Sequence, residues 1–185
     1  MENTIAEKLK QGMVGVIPTD TVYGIVASAR IPMAVERVYT LRKRDENKPC
    51  IILLADAEDL SEFGIVPTDE EISFMEKQWP GAVSILFPCK DERFSFLHRG
   101  FKTLAFRVPD NEWLRNLLRE TGPLIAPSAN IQGKPAALDR DEVDAYFHSQ
   151  IDFLVDGGKL SGEPSTIIQF KDGQIQILRS GRVKL

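Results

Sequence analysis

An α/β fold, grading into α+β, built on a mixed and twisted sheet is predicted for this 185-residue chain. Three observations predict it. Short apolar runs of strand length alternate with amphipathic helical segments over most of the sequence. Near its end, two strand-like segments flank Asp172-Gly173, a favoured hairpin turn, so part of the sheet is antiparallel. No repeat, low-complexity tract or linker interrupts the sequence, and its length fits one domain over 1–185. Such a chain buries roughly 70% of its unfolded surface and needs no staple.

Thr4 and Glu7 have capping-box spacing, with Ile5, Ala6 and Leu9 on one helical face and Gly12 as the stop. Val14 to Ile17 reads as a buried strand that Pro18 ends, because Pro cannot donate to a ladder. Thr19 to Gly24 is neither periodic nor loop-like in composition. It sets two Thr hydroxyls and a Tyr just past a strand's C-terminal end, where open α/β sheets bind ligands. A helix is predicted from Pro32 to Arg42, with Pro in its first turn and cations at its end that complement the dipole. Cys50 to Ala55 is a continuous apolar run, read as a strand buried on both faces.

Thr68 to Glu71 opens another helix with capping-box spacing, stopped by Pro80-Gly81. Val83, Ile85 and Phe87 alternate as a half-buried strand, and Asp91 to Gly100 reads as an irregular connection. Thr103 to Val108 is a strand with Thr103, Ala105 and Arg107 on one side. Asp110 or Asn111 caps a helix that Gly122 ends. Leu124 to Ala126 is a short strand running into Pro127-Ser128-Ala129-Asn130; Asp139 to Phe147 is helical; Phe153 to Val155 leads into Asp156-Gly157-Gly158. Ser165 to Phe170 and Ile175 to Arg179 form the closing hairpin.

A net charge of −4 argues against sequence-blind nucleic-acid binding, though it leaves room for a local basic patch. Cys50 and Cys89 lie in apolar stretches and read as buried free thiols. No apolar run approaches ~18 residues and no secretory leader is visible, so a cytoplasmic, reducing setting is expected.

The charged and hydroxylic residues admit two readings each. Arg42, Lys43, Arg44 and Lys48 are either a solvated helix end or a phosphate grip, with guanidinium forks and a lysine point charge. Ser128-Ala129-Asn130 is either an ordinary turn or a set of small donors and acceptors at a strand end. Arg107 on an inward face needs a partner, either a substrate anion or an acid such as Asp20. Arg179 is a surface residue or a neighbour of Ser165 across the hairpin. No GxGxxG, P-loop, HExxH or Ser-His-Asp pattern occurs, and the only histidines are His98 and His148. A site rich in Arg, Lys, Thr, Ser and Asn, and poor in general bases, works by positioning and charge neutralisation.

Eight segments in order resemble the YrdC/TsaC family over essentially the whole chain. They are Pro18 to Gly24, Arg42-x-Arg44-x-x-x-Lys48-Pro49, Trp79-Pro80-Gly81, Ala105 to Pro109, Pro127 to Asn130, Asp156-Gly157-Gly158, Ser165 to Ile168, and Ile177 to Gly181. The resemblance implies the YrdC-type twisted sheet with a basic concave cavity. It implies an L-threonylcarbamoyladenylate synthase, a nucleotidyltransferase joining L-threonine, bicarbonate and ATP with release of pyrophosphate. The product serves the N6-threonylcarbamoyl modification of adenosine 37 in tRNA, through separate transferase partners, and the chain resembles the short bacterial form. By matched position, Thr19, Arg107 and Ser165 would hold threonine, and Arg42, Thr103, Ser128 and Arg179 would face ATP. Arg44, Lys48 and Asn130 would complete the basic, polar wall, with Arg42, Arg44 and Lys48 neutralising charge during the reaction. Mg²⁺ would travel with the nucleotide, with no metal site in the protein itself. Arg42 stands where the family usually has Lys, Asp45 where it has Pro, and Ala136 where it has Ser. Two rival readings are an RNA-binding module of the same fold without catalysis, and a paralogue that adenylates a different carbamate.

Overall fold

Nine strands, among the described residues 3–160 and 162–185 of the computed structural model, pair into one sheet. They are β1 (Gly15–Pro18), β2 (Tyr23–Ser28), β3 (Ile51–Leu53), β4 (Val83–Pro88), β5 (Thr103–Arg107), β6 (Leu124–Ile125), β7 (Phe153–Leu154), β8 (Thr166–Lys171) and β9 (Gln174–Arg179). Their order across the sheet is β7-β1-β2-β6-β3-β5-β4-β8-β9. β3 runs parallel to β5, β4 to β8 and β1 to β7, while the remaining neighbours are antiparallel. The sheet is mixed, as the alternation and the terminal hairpin predict.

Successive residues of the central strands send side chains to opposite faces. Val16, Ile25, Ile52, Ile85 and Phe106 join one core with Val35 and Val38 of α2 (Pro32–Arg42). Ile17, Val26 and Leu53 join a second core with Leu9 of α1 (Ile5–Lys10) and with Leu114, Leu117 and Leu118 of the helix Glu112–Thr121. The remaining helices are α3 (Asp69–Gln78), α4 (Ser95–His98), α5 (the Glu112–Thr121 helix just named) and α6 (Arg140–Phe147). Capping chemistry explains several starts. Thr4 and Glu7 cap α1 reciprocally, Thr68 and Glu71 do the same for α3, and Asn111 rather than Asp110 caps α5 through the Leu114 N–H.

The structure corrects the sequence reading in four places. β2 is a full strand pairing with both β1 and β6, where the sequence reading assigned no element between Pro18 and Pro32. All six residues of β2 are buried, and Gly24, Ala27 and Ser28 are small, so no alternation marks it. Ala57–Phe63 forms a 3₁₀ segment, opened by Asp56 and Asp59 and closed by Gly64. Asp91 to Gly100 is ordered into a 3₁₀ turn at Glu92–Phe94 followed by α4. β4 is buried on both faces along much of its length rather than half-buried: Val83, Ile85 and Phe87 pack into the α2 core, and Ser84, which alternates to the other face, is 0% exposed.

Both cysteines are buried and free, and burial pushes both thiols above their ordinary range. They stay protonated at neutral pH. An aromatic disulfide reagent is expected to label neither in native buffer and both in guanidinium; rapid labelling of the native protein would contradict the packing described. Among the described residues, no helix is long and apolar enough to cross a membrane.

Candidate active site

Thr19, Thr21, Arg44, Arg107, Ser128, Ser165 and Arg179 share the lining of one hollow of about 130 Å³. The hollow also takes in Ile51 and Ala126, which pack against the α1/α5 core, so the cavity sits on that side of the sheet. Pockets for drug-sized ligands run to roughly 300–1,000 Å³, so the enclosed part suits a smaller molecule such as an amino acid.

Three of its lining residues are arginines from widely separated segments. Arg44 follows α2, Arg107 ends β5, and Arg179 ends β9. Arg44 donates from Nε and Nη2 to the carbonyls of Lys48 and Pro49, at 2.8 and 2.9 Å. These bonds fold the Asp45–Lys48 loop around the guanidinium. Arg107 is buried and donates from Nη1 to Asp20 Oδ1 at 2.6 Å, while its buried Nε has no partner among the described residues. Asp20 is therefore the acid that the inward face required. Its other oxygen accepts from the Asp110 N–H, and its carbonyl accepts from Arg182 Nη1.

Arg179 is exposed overall, but its guanidinium turns in to the Ser165 carbonyl at 2.8 Å and the Ser165 hydroxyl at 3.3 Å. Burial lowers its pKa, and the like charges of Arg107 and Arg44 lower it further. Three guanidiniums thus repel one another across the hollow, and among the described residues Asp20 is the only acid that meets any of them there. Such a set is electrostatically incomplete without an anion.

The hydroxyls are partly committed. Thr19 donates to the Val22 carbonyl at 2.7 Å and accepts from the Thr21 N–H, so in its 3.0 Å contact with Thr21 it is the Thr21 hydroxyl that donates. Thr19 thereby fixes the turn between β1 and β2. The Ser165 hydroxyl stands 2.9 Å from that of Ser84.

The structure does not bring Arg42, Lys48, Thr103 or Asn130 to this lining. Arg42 is 3% exposed and donates to the carbonyl and Oδ1 of Asn130, at 3.1 and 2.8 Å, and to Ser128 Oγ at 3.4 Å. The Arg42–Asn130 pair braces the loop behind Ser128, because Asn130 also donates to the Ile131 and Lys134 carbonyls. Burial and the neighbouring Arg44 lower the Arg42 pKa to about 10, which still leaves it charged at neutral pH. Lys48 is exposed, and among the described residues its ammonium reaches only Asp45, at 3.9 Å. Thr103 shares a strand face with Arg107 but lies at the opposite end of β5, paired with Pro88.

Sequence reasoning missed Ser84 and Arg182, and it marked Thr21 and Gly181 only as members of a strand-end stretch and a family segment, without a role of their own. For Gly181 the physical signal is close approach. A Cβ there would stand 2.3 Å from the Pro164 carbonyl oxygen and 2.6 Å from the Ser165 carbonyl carbon. Gly181→Ala is expected to destabilise the protein by about 1–3 kcal/mol through overpacking against backbone. Urea unfolding checks this, and an unchanged midpoint would mean that the segment does not hold Ser165.

A family model described as telomere recombination, that of the Sua5/YciO/YrdC proteins, matches residues 7–181. The chain belongs to the Sua5/YciO/YrdC family. Among similar family members is a threonylcarbamoyl-AMP synthase of Bacillus subtilis, 34% identical over 96% of this chain and 52% of that protein. Another threonylcarbamoyl-AMP synthase, from Pseudomonas entomophila, is 33% identical over 92% of both chains. Pyrococcus abyssi Sua5, solved in complex with L-threonine, superposes with a TM-score of 0.86 at 30% identity, over 95% of this chain and 52% of that one. The chain thus spans about half the length of the Bacillus and Pyrococcus relatives and nearly all of the Pseudomonas one. The eight family segments recognised in the sequence supply every arginine of the hollow.

Proposed function

We propose that this protein is a threonylcarbamoyl-AMP synthase, in keeping with its Bacillus, Pseudomonas and Pyrococcus relatives. The observation that carries the reading is the convergence of Arg44, Arg107 and Arg179 on a hollow of amino-acid size. The complex of the Pyrococcus relative with L-threonine supports the same choice of small substrate. Threonine sits in the hollow with its carboxylate toward Arg107, Arg179 and Ser165. Its deprotonated amine attacks CO₂, and the carbamate oxygen attacks the α-phosphorus of ATP, with pyrophosphate leaving. Arg44 neutralises charge that grows on the phosphates, assisted by Lys48 once a triphosphate draws that exposed side chain in. The nucleotide is too large for the enclosed volume and lies outside it, toward Ser128 and Thr103. Arg42 and Asn130 act in this reading by holding Ser128 in place.

Among the described residues, no group of three or more His, Cys, Asp or Glu stands together as a metal cage. The donor chemistry of the hollow is cationic. Mg²⁺ fits it as the companion of the ATP phosphates rather than as a resident of the protein. The adenylate product then passes to proteins that modify tRNA.

A pyrophosphate-release assay tests the reading. Release that requires L-threonine, bicarbonate and ATP together is the expected result. Release with a different amine would make the protein a paralogue. No turnover alongside salt-sensitive RNA binding would make it a binding module.

A further inference from the structure

Ser84 sits on β4 with no exposed surface, and the hydroxyl of Ser165 is the one side-chain partner of its own hydroxyl among the described residues, at 2.9 Å. The parallel register of β4 and β8 sets Val83 opposite Thr166 and Ser84 opposite Ile167, so Ser84 lies beside the start of β8, next to Ser165. Ser165 is 4% exposed, lines the hollow, and also receives the Arg179 guanidinium at 3.3 Å. One hydrogen lies between the two serine oxygens, and its direction decides what Ser165 can do.

If Ser165 donated to Ser84, the Ser84 proton would have no acceptor in a fully buried site. Leaving a buried donor unmade is the costlier of the two arrangements. If Ser84 donates to Ser165, the proton of the fully buried Ser84 is placed. Ser165 then accepts from both Ser84 and Arg179, and its own proton is left for the hollow. Accepting two bonds, one of them from a cation, also makes Ser165 a stronger donor.

We infer that Ser84 is a positioning residue that turns the Ser165 hydroxyl proton toward an oxyanion bound between Arg107 and Arg179. The inference rests on the proposed function only in naming that oxyanion as the threonine carboxylate. Ser84 touches no substrate, and its effect runs entirely through Ser165.

A double-mutant cycle tests this, with L-threonine and inorganic phosphate as calorimetric probes. Ser84→Ala is expected to weaken binding about 5-fold and Ser165→Ala about 10-fold, the range of single hydrogen bonds. The double variant should match Ser165→Ala within about 2-fold, because Ser84 acts only through Ser165. Ser84→Cys, which keeps the shape at a slightly larger size but donates poorly, should behave like Ser84→Ala. In turnover, KM for threonine should rise while KM for ATP stays unchanged. Effects of the two serines that multiply, or Ser84 variants that bind as wild type does, would overturn the inference. If wild-type protein binds phosphate but not threonine, the substrate reading fails while the phosphate cycle still decides the role of Ser84. If it binds neither, the hollow is not an oxyanion site and the inference falls with it.

Discussion

Replacing Arg44 with Ala is expected to lower pyrophosphate release by about 10²–10³-fold, the range found when one preorganised donor to developing charge is lost. The size of the effect follows from where the guanidinium stands. It lines the hollow, meets no acid there among the described residues, and is held rigid by the carbonyls of Lys48 and Pro49. A donor fixed before the reaction stabilises growing phosphate charge without reorganising. Arg44→Lys keeps the charge but cannot span both carbonyls, so it should recover only part of the rate. Thermal unfolding within a few degrees of wild type would show that the loss is chemical. Unchanged turnover in the Ala variant would remove Arg44 from the reaction.

The second large effect is on stability. Arg107 and Asp20 form an ion pair with side-chain exposures of 5% and 8%. Removing one partner of a buried pair leaves the other charge uncompensated, at a cost of about 3–5 kcal/mol. Asp20→Ala should approach the upper end of that range. It leaves Arg107 facing the like charges of Arg179 and Arg44 and also takes the acceptor from the Asp110 N–H. Urea unfolding at low salt is the measurement. Phosphate should restore more stability to this variant than to wild type, because an anion in the hollow replaces the lost charge. A loss below about 1 kcal/mol would mean that Arg107 reaches water.

The order of helices and the mixed sheet could be read from the chain because their signals are local. Capping boxes at Thr4 and Thr68, Pro32 in a first turn and the Asp172-Gly173 turn each act over a few residues. β2 could not be read so directly. Its pairing with β1 and β6 is long-range, and burial on both faces erased the period that marks a strand.

The arginines of the hollow were legible as chemistry but not as geometry. Charge and the family segments marked Arg42, Arg44, Lys48, Arg107 and Arg179 alike. Only the fold separates the three that line the hollow from buried Arg42, which braces Asn130, and from Lys48, which stands in solvent. Ser84 and Arg182 act on other residues rather than on the hollow itself, so nothing in their own sequence neighbourhood announces them.

The most direct measurement is a crystal structure of this protein with L-threonine and a non-hydrolysable ATP analogue. The amino acid should lie in the hollow with its carboxylate bonded to Arg107, Arg179 or Ser165, and the triphosphate should reach Arg44. Ligands bound on another face, with the three guanidiniums still turned to an empty hollow, would contradict the account.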